Sequence, residues 1–285
     1  MTETSKTLDD LNTVLKQFSV KIDEIRNTPE DVDEAFRLAT IAVAANEGAL
    51  LIPVPGVGSV VGAAYGALTE DSLTGVMQDN KDKIKDSIRK VLEELAQAID
   101  GLRAPVAFIQ TAGAWLETKS QISEARNNYL LNGNLTGQWL GASAVAYGNA
   151  ATIQQTAMES AMSVCDTANS ALRDSADGAW KFYSAIIEDI TEYLTKFAGA
   201  MLKIASFVAM PVGVSDAIDF GAELVKKVGK HGLALGAVLI RQQGILDALT
   251  VATTSPAGIN NGKWPQSAST DFDAQTPDKD KWDPR

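Results

Sequence analysis

The chain has 285 residues, of which 45% are hydrophobic, and a formal net charge of -11. That apolar fraction supports a buried core in one large domain or two small ones and excludes a disordered chain. The negative charge repels phosphate backbones, and no Lys/Arg cluster interleaved with aromatics offsets it locally, so nucleic acid is not expected as a partner.

Alanine is abundant, aromatics are few and runs of strict alternation are almost absent, so helix is the favoured element throughout. Leu8, Leu11, Leu15, Phe18, Ile22 and Ile25 recur at three- and four-residue spacing, which predicts a helix opening near Thr7. Thr28-Pro29-Glu30-Asp31 combines a capping hydroxyl, a proline suited to a first helical position and first-turn acids, so a second helix is expected from about Pro29 to Leu51. Ile52-Pro53-Val54-Pro55-Gly56 should end it, because two prolines remove donors and the glycine permits a turn. No charge occurs from Gly48 to Leu68, which reads as an apolar hairpin tip.

A further helix should begin near Ser72, with Ile84, Ile88, Val91, Leu92, Leu95 and Leu102 on one face. Gly101 and Pro105 should kink it before it resumes through Val106, Ile109, Trp115, Leu116 and Ile122 and stops at Asn132-Gly133-Asn134. The last long helix is expected from about Gly141 towards Met210, with an alanine contact face between Ala144 and Leu172, an opening for a bend at Asp174 to Gly178, and a break at Pro211 and Gly213. An apolar helix over roughly Ser215 to Thr250 follows. From Thr253 the chain is rich in Ser, Thr, Pro, Asn and Asp without periodicity, and it reads as a disordered tail.

The expected fold class is therefore all-α: an elongated bundle built on a long antiparallel helical hairpin with extra flanking helices. Four segments are expected: 1–71, N-terminal helices with the apolar Pro/Gly hairpin; 72–210, the long hairpin; 211–252, a C-terminal apolar helix; and 253–285, the tail.

Candidate chemistry is sparse. The lone histidine, His231, follows a basic helix face near Gly232 and reads as solvated, and the lone cysteine, Cys165, precludes an intrachain disulfide and reads as a buried small hydrophobe. No Gly-x-Ser-x-Gly elbow or Walker loop occurs. Gly56-Val57-Gly58 with Gly62 echoes a dinucleotide loop, but Pro53 and Pro55 argue against the parallel strand that must precede one. Asp278, Asp280 and Asp283 lack the glycine and terminal glutamate of a calcium loop. No catalytic residue, metal ligand or cofactor is predicted, and a non-enzymatic role is the expectation.

The turn between the long helices reads Leu135-Thr136-Gly137-Gln138-Trp139-Leu140-Gly141-Ala142-Ser143-Ala144-Val145-Ala146-Tyr147. Trp139 is suited to capping the hairpin end, Gly141 leaves room beside it, and Ala144 and Tyr147 lie three apart on the next helix. In these residues and their helix–turn–helix context, roughly Met77 to Tyr193, the chain resembles the WXG family of type VII (ESX) secretion substrates. The resemblance implies a helical hairpin that binds a protein partner or itself. It also implies export to the medium or cell envelope without a Sec signal peptide, after a cytoplasmic stage. Met1 to Asp10, polar and acidic, agrees with the lack of such a signal. The chain departs from the family in that none of its five tyrosines has an acid four residues on; after Tyr183 that place is Ile187.

An alternative rests on Gly58, Gly62 and Gly66, whose four-residue spacing within the uncharged stretch lets helices pack closely in lipid. With Phe197 to Val214 as a second apolar segment, this loosely resembles the α-helical pore-forming toxins and implies insertion of residues 48–68 into membranes. Against it, Pro53 and Pro55 leave too few regular helical residues for the ~20 that span a bilayer.

Overall fold

A computed structural model describes residues 7–46, 70–133, 140–254, 256–259 and 263–265. The fold is all-α: helices α1 (Leu8–Asn46), α2 (Glu70–Asp100), α3 (Ala104–Asn132), α4 (Ala142–Ala205) and α5 (Met210–Thr254), with a 3-10 turn at Gly101–Arg103 between α2 and α3. No strand occurs among the described residues. The apolar segment Gly48 to Leu68, with Gly58, Gly62 and Gly66, lies outside them.

Thr7 opens α1 through a reciprocal cap. Its hydroxyl accepts the Asp10 N–H at 3.1 Å while the Asp10 carboxylate accepts the Thr7 N–H at 2.9 Å, which satisfies two donors of the first turn. The expected restart at Pro29 does not occur, and α1 runs through the proline. Pro29 cannot donate to the Ile25 carbonyl four residues back, and the buried Thr28 hydroxyl donates to that carbonyl instead, at 2.7 Å. The apparent N-cap is thus a repair inside one long helix.

The chain forms two compact units. The first comprises Met1–Pro105 and Gly178–Gly236, so it takes α1, α2, the second part of α4 and the first part of α5. Its four helices alternate in direction. Phe18 of α1 meets Tyr183 of α4 edge to face at 5.1 Å, and the Tyr183 hydroxyl donates to the Ala98 carbonyl of α2 at 2.8 Å. Farther along α1, Asp33 pairs with Lys81 and Lys85, earlier on α2, so these two helices are antiparallel. Gly221 of α5 lies against Ser87 and Val91 of α2, and Gly229 lies near Glu94, so α2 and α5 are parallel. Lys203 with Asp216 and Lys196 with Glu223 make α4 and α5 antiparallel. The expected apolar stripes of α1 and α2 line this core, with Phe18, Ile25, Ile84, Ile88 and Leu95 fully buried, and Ile190 and Ile204 of α4 join them.

The expected break at Pro211 and Gly213 falls earlier. Residues 206–209 turn between α4 and α5, with Phe207 at φ 57°, and Pro211 is the second residue of α5. A proline there gives up an N–H with no intrahelical partner, so it starts the helix rather than ending one. A side chain at Gly213 would come within 2.7 Å of the Ala200 carbonyl oxygen, and its absence is what lets the two helices close on the turn.

The second unit comprises Val106–Asp177 and Ala237–Arg285. Here α3 and the first part of α4 form the expected antiparallel hairpin. Lys119 pairs with Asp166, Arg126 pairs with Glu159, and the Asn169 amide donates to the Ala112 carbonyl at 2.6 Å. The interface is alanine, as the sequence predicts: Ala112, Ala151, Ala157, Ala168 and Ala171 are buried, with Cys165 among them. Burial raises the Cys165 thiol above its ordinary pKa. Helical structure is unbroken across Asp174 to Gly178. Trp115 and Ile122 are half-buried and Leu116 is exposed, so the predicted apolar face of α3 is incompletely covered.

The tail expected from Thr253 begins as structure. Thr253 and Thr254 complete α5, and residues 256–259 and 263–265 return against α4. Gly258, at φ 80°, passes so close that a Cβ would sit 2.6 Å from the Ala157 nitrogen. The Gln154 amide donates to the Pro265 carbonyl at 3.0 Å. Residues 266–285, with Asp278, Asp280 and Asp283, lie outside the described residues.

The two cores differ in kind. The largest fully buried side chains, among them Phe18, Phe197, Ile190 and Leu224, all belong to the first unit. Alanine removes far less apolar area from water than leucine or phenylalanine, so the second unit should open at lower cost. Hydrogen exchange followed by mass spectrometry is expected to show residues 106–172 exchanging well before 183–204. The reverse order would mean that the alanine interface is not the weaker one.

Candidate functional site

Of the residues that carry the family resemblance, Trp139 lies outside the described residues. Gly141 stands exposed just before α4 at φ 104°, a conformation L side chains rarely adopt, which gives glycine a physical reason at that place. Ala144 is half-buried one turn into the helix. The Tyr147 hydroxyl donates to the Gly133 carbonyl at 2.7 Å, tying the first turns of α4 to the end of α3. Partial burial and the neighbouring Tyr129 hold its phenol above the usual pKa. Tyr147 thus contributes a specific bond across the mouth of the turn as well as contact area.

The second unit exposes large aliphatic side chains on each of its helices. Leu116 and Leu131 of α3, Val145 and Ile153 of α4, and Ile240 and Val251 of α5 all face solvent. On α5 the pattern is inverted. Gln242 is only 3% exposed, and neither its amide oxygen nor its amide nitrogen has a hydrogen-bond partner among the described residues. At 100° per residue, Ile240 and Val251 stand on the side of the helix opposite Gln242. A polar group faces inward while aliphatic groups face outward. A buried amide without partners is destabilising, so Gln242→Leu is expected to raise unfolding stability by about 1 to 2 kcal/mol. Urea denaturation measures it; a loss of stability would show that the amide has a partner the fold supplies.

Sequence reasoning missed an ionic cluster in the first unit. Asp189, Glu192 and Lys196 of α4 face Glu223, Lys227 and His231 of α5, with Lys227 2.7 Å from Glu192 and 3.1 Å from Asp189. His231, expected to be solvated, instead places Nε2 2.7 Å from the Asp189 carboxylate and is about a third exposed. The helix continues past Gly232, so the imidazole sits in the interhelical groove rather than at a helix end. The spacings Glu192 to Lys196 and Glu223 to Lys227 were visible as i,i+4 pairs. Which helix would face which was not.

Hydrogen bonds from Lys196 and Lys227 hold the Glu192 carboxyl down at about 2, and their carboxylate partners raise both lysines. For Glu192 the folded pKa is depressed, so its stabilising contribution is present above the ordinary value of 4.5 and is lost as pH falls towards 2. For the lysines the sign reverses, with stabilisation present below 10.5 and lost as pH rises past their folded values. The groups are solvent-facing and therefore screened by salt. Glu192→Gln should flatten the acid limb of the unfolding midpoint at low ionic strength and change little at high salt. An unchanged acid limb at low salt would show that the cluster is not coupled to folding.

No set of three His, Cys, Asp or Glu side chains that could hold a metal ion occurs among the described residues. No family model, curated protein or solved structure matches the chain.

Proposed function

We propose that the protein is a non-enzymatic helical protein that works by binding a protein partner, in the manner of type VII secretion substrates, and leaves the cell through that apparatus. The observation that supports this most is the second unit: an antiparallel hairpin with an alanine interface whose helices all expose large aliphatic side chains. Such surface in water calls for cover, and a hairpin with a thin core adapts to a partner more readily than a filled bundle. The Tyr147 to Gly133 bond and the conformation of Gly141 agree with the role the resemblance gives this turn.

The test is export from a host carrying a type VII apparatus. The chain should reach the medium only when the secretion ATPase is active, and Trp139→Ala should reduce the amount without lowering the cytoplasmic pool. Export that ignores the ATPase would remove this reading.

The pore-forming reading comes second. No helix among the described residues is long and apolar enough to cross a membrane, so spanning would fall to residues 48–68. Release of a trapped dye from vesicles is the outcome that would put it first.

A further inference from the structure

In the first unit, the end of α1, the start of α2 and the turn from α4 to α5 lie at one end of the four-helix bundle. The alternating directions require it: α1 and α4 run towards that end, α2 and α5 away from it. Three large aliphatic side chains surround the α4–α5 turn in solvent, Leu202 at 75%, Val208 at 61% and Val212 at 51% exposure. Leu38 and Ile41 are exposed on α1 at the same end. From Ile204 to Ser215 the sequence carries no charge. The charges that bound this stretch, Lys203 and Asp216, pair with each other at 2.6 Å across the helices.

The N–H groups of the turn are bonded within it or to the end of α4. The N–H of Ser206 donates to Leu202, those of Phe207 and Met210 to Ile204 and Phe207 at 3.0 Å each, and that of Val208 to Ser206. The Ala209 N–H reaches the Ser206 hydroxyl at 3.4 Å, and that hydroxyl donates to the Lys203 carbonyl at 2.7 Å. Pro211 has no N–H to satisfy. Those donors are not stranded when the turn leaves bulk water, whereas the Val212 N–H and the Val208 carbonyl, which meet no backbone partner in the turn, keep their bonds only where water persists, as it does at the headgroup boundary.

We propose that this turn is a lipid-contacting site, at which Leu202, Val208 and Val212 enter the boundary between headgroups and acyl chains of a bilayer without spanning it. The chemistry selects a neutral apolar surface. Its one bordering cation, Lys203, is already paired and so offers little to anionic headgroups, the turn's own donors are taken up internally, and the chain as a whole is acidic. The inference is independent of the secretion reading and differs from the pore-forming one in predicting contact without perforation.

The experiment is flotation of the full chain with phosphatidylcholine vesicles carrying a trapped dye. The protein should float with the vesicles to the same extent at low and high salt, gain nothing from added anionic lipid, and release no dye. Leu202→Asp with Val208→Asp should cut the bound fraction on the order of tenfold, because charge is expelled from the boundary, with the helical signal and unfolding midpoint unchanged since both side chains are exposed. Val208→Trp gives a second readout, a blue-shifted emission on adding vesicles. A native chain that stays unbound, a double variant that floats like the native chain, or an unshifted Val208→Trp emission would each overturn the site. So would a native dimer that the double variant converts to monomer without either form floating, which would assign the surface to a second copy. Dye release would overturn the statement that the contact stops at the boundary.

Discussion

Tyr183→Ala is expected to lower the unfolding free energy by about 4 kcal/mol, the size typical of deleting a buried aromatic ring. Tyr183 joins three helices. Its ring lies 5.1 Å from Phe18 of α1 and 5.1 Å from Phe182, and its hydroxyl donates to the Ala98 carbonyl in the last turn of α2. Burial pushes the phenol up to about 12, so it remains a donor beyond the ordinary phenol value of 10. Tyr183→Phe separates the two roles. It keeps the ring and edge-to-face contact and should cost only about 1 kcal/mol, the net worth of an ordinary hydrogen bond. Urea unfolding of the two variants measures both. A Tyr183→Ala cost near that of Tyr183→Phe would mean the ring is not packed, and the pairing of α1 with α4 would be wrong.

The contrast between Tyr183 and its neighbours on α2 shows what could be read in the sequence. Periodicity identified the apolar faces of α1 and α2 because spacing of three and four is a property of one helix, and Leu11, Phe18, Ile25, Ile84, Ile88 and Leu95 are buried as that spacing requires. It also located the interruption at Gly101 and Pro105, where backbone chemistry is local, and the hairpin about residues 133–141, where a glycine stops α3. The partners of each face were not legible. Nothing in the order of residues says that Tyr183 would meet Phe18 or that Lys227 would reach Glu192, since many registers of antiparallel helices satisfy the same stripe. The turn from α4 to α5 escaped for a different reason: its left-handed residue is a phenylalanine, which no local rule selects for φ 57°. For the candidate site, Gly141 stands just before α4 and Ala144 and Tyr147 in its first turns, on the second helix of an antiparallel pair as the sequence foretold, whereas the exposed aliphatics of α5 were hidden. A helix apolar on both sides looks the same in sequence whether or not both sides are covered. Gln242, the residue that shows which side faces in, gave no signal of its own.

Pro29 is where local reading and tertiary structure disagree most, and it yields the other large expected effect. An interior proline costs a helix about 3 kcal/mol through its missing N–H and the clash with the preceding turn. In α1 the clash is tolerated, and the missing bond is replaced by the Thr28 hydroxyl on Ile25. Pro29→Ala should therefore stabilise the protein, by roughly 2 to 3 kcal/mol, less than the full cost because Thr28 already recovers part of it. Thr28→Val should cost about 1 to 2 kcal/mol in the native background, where it leaves the Ile25 carbonyl without its donor. In the Pro29→Ala background the same substitution should cost much less, because the backbone N–H that the alanine restores takes that carbonyl. The double-mutant cycle on these two adjacent positions reads the coupling directly in urea unfolding. If Pro29→Ala is neutral or destabilising, α1 is not one continuous helix, and a restart at Pro29 with Thr28 as its cap would stand in its place.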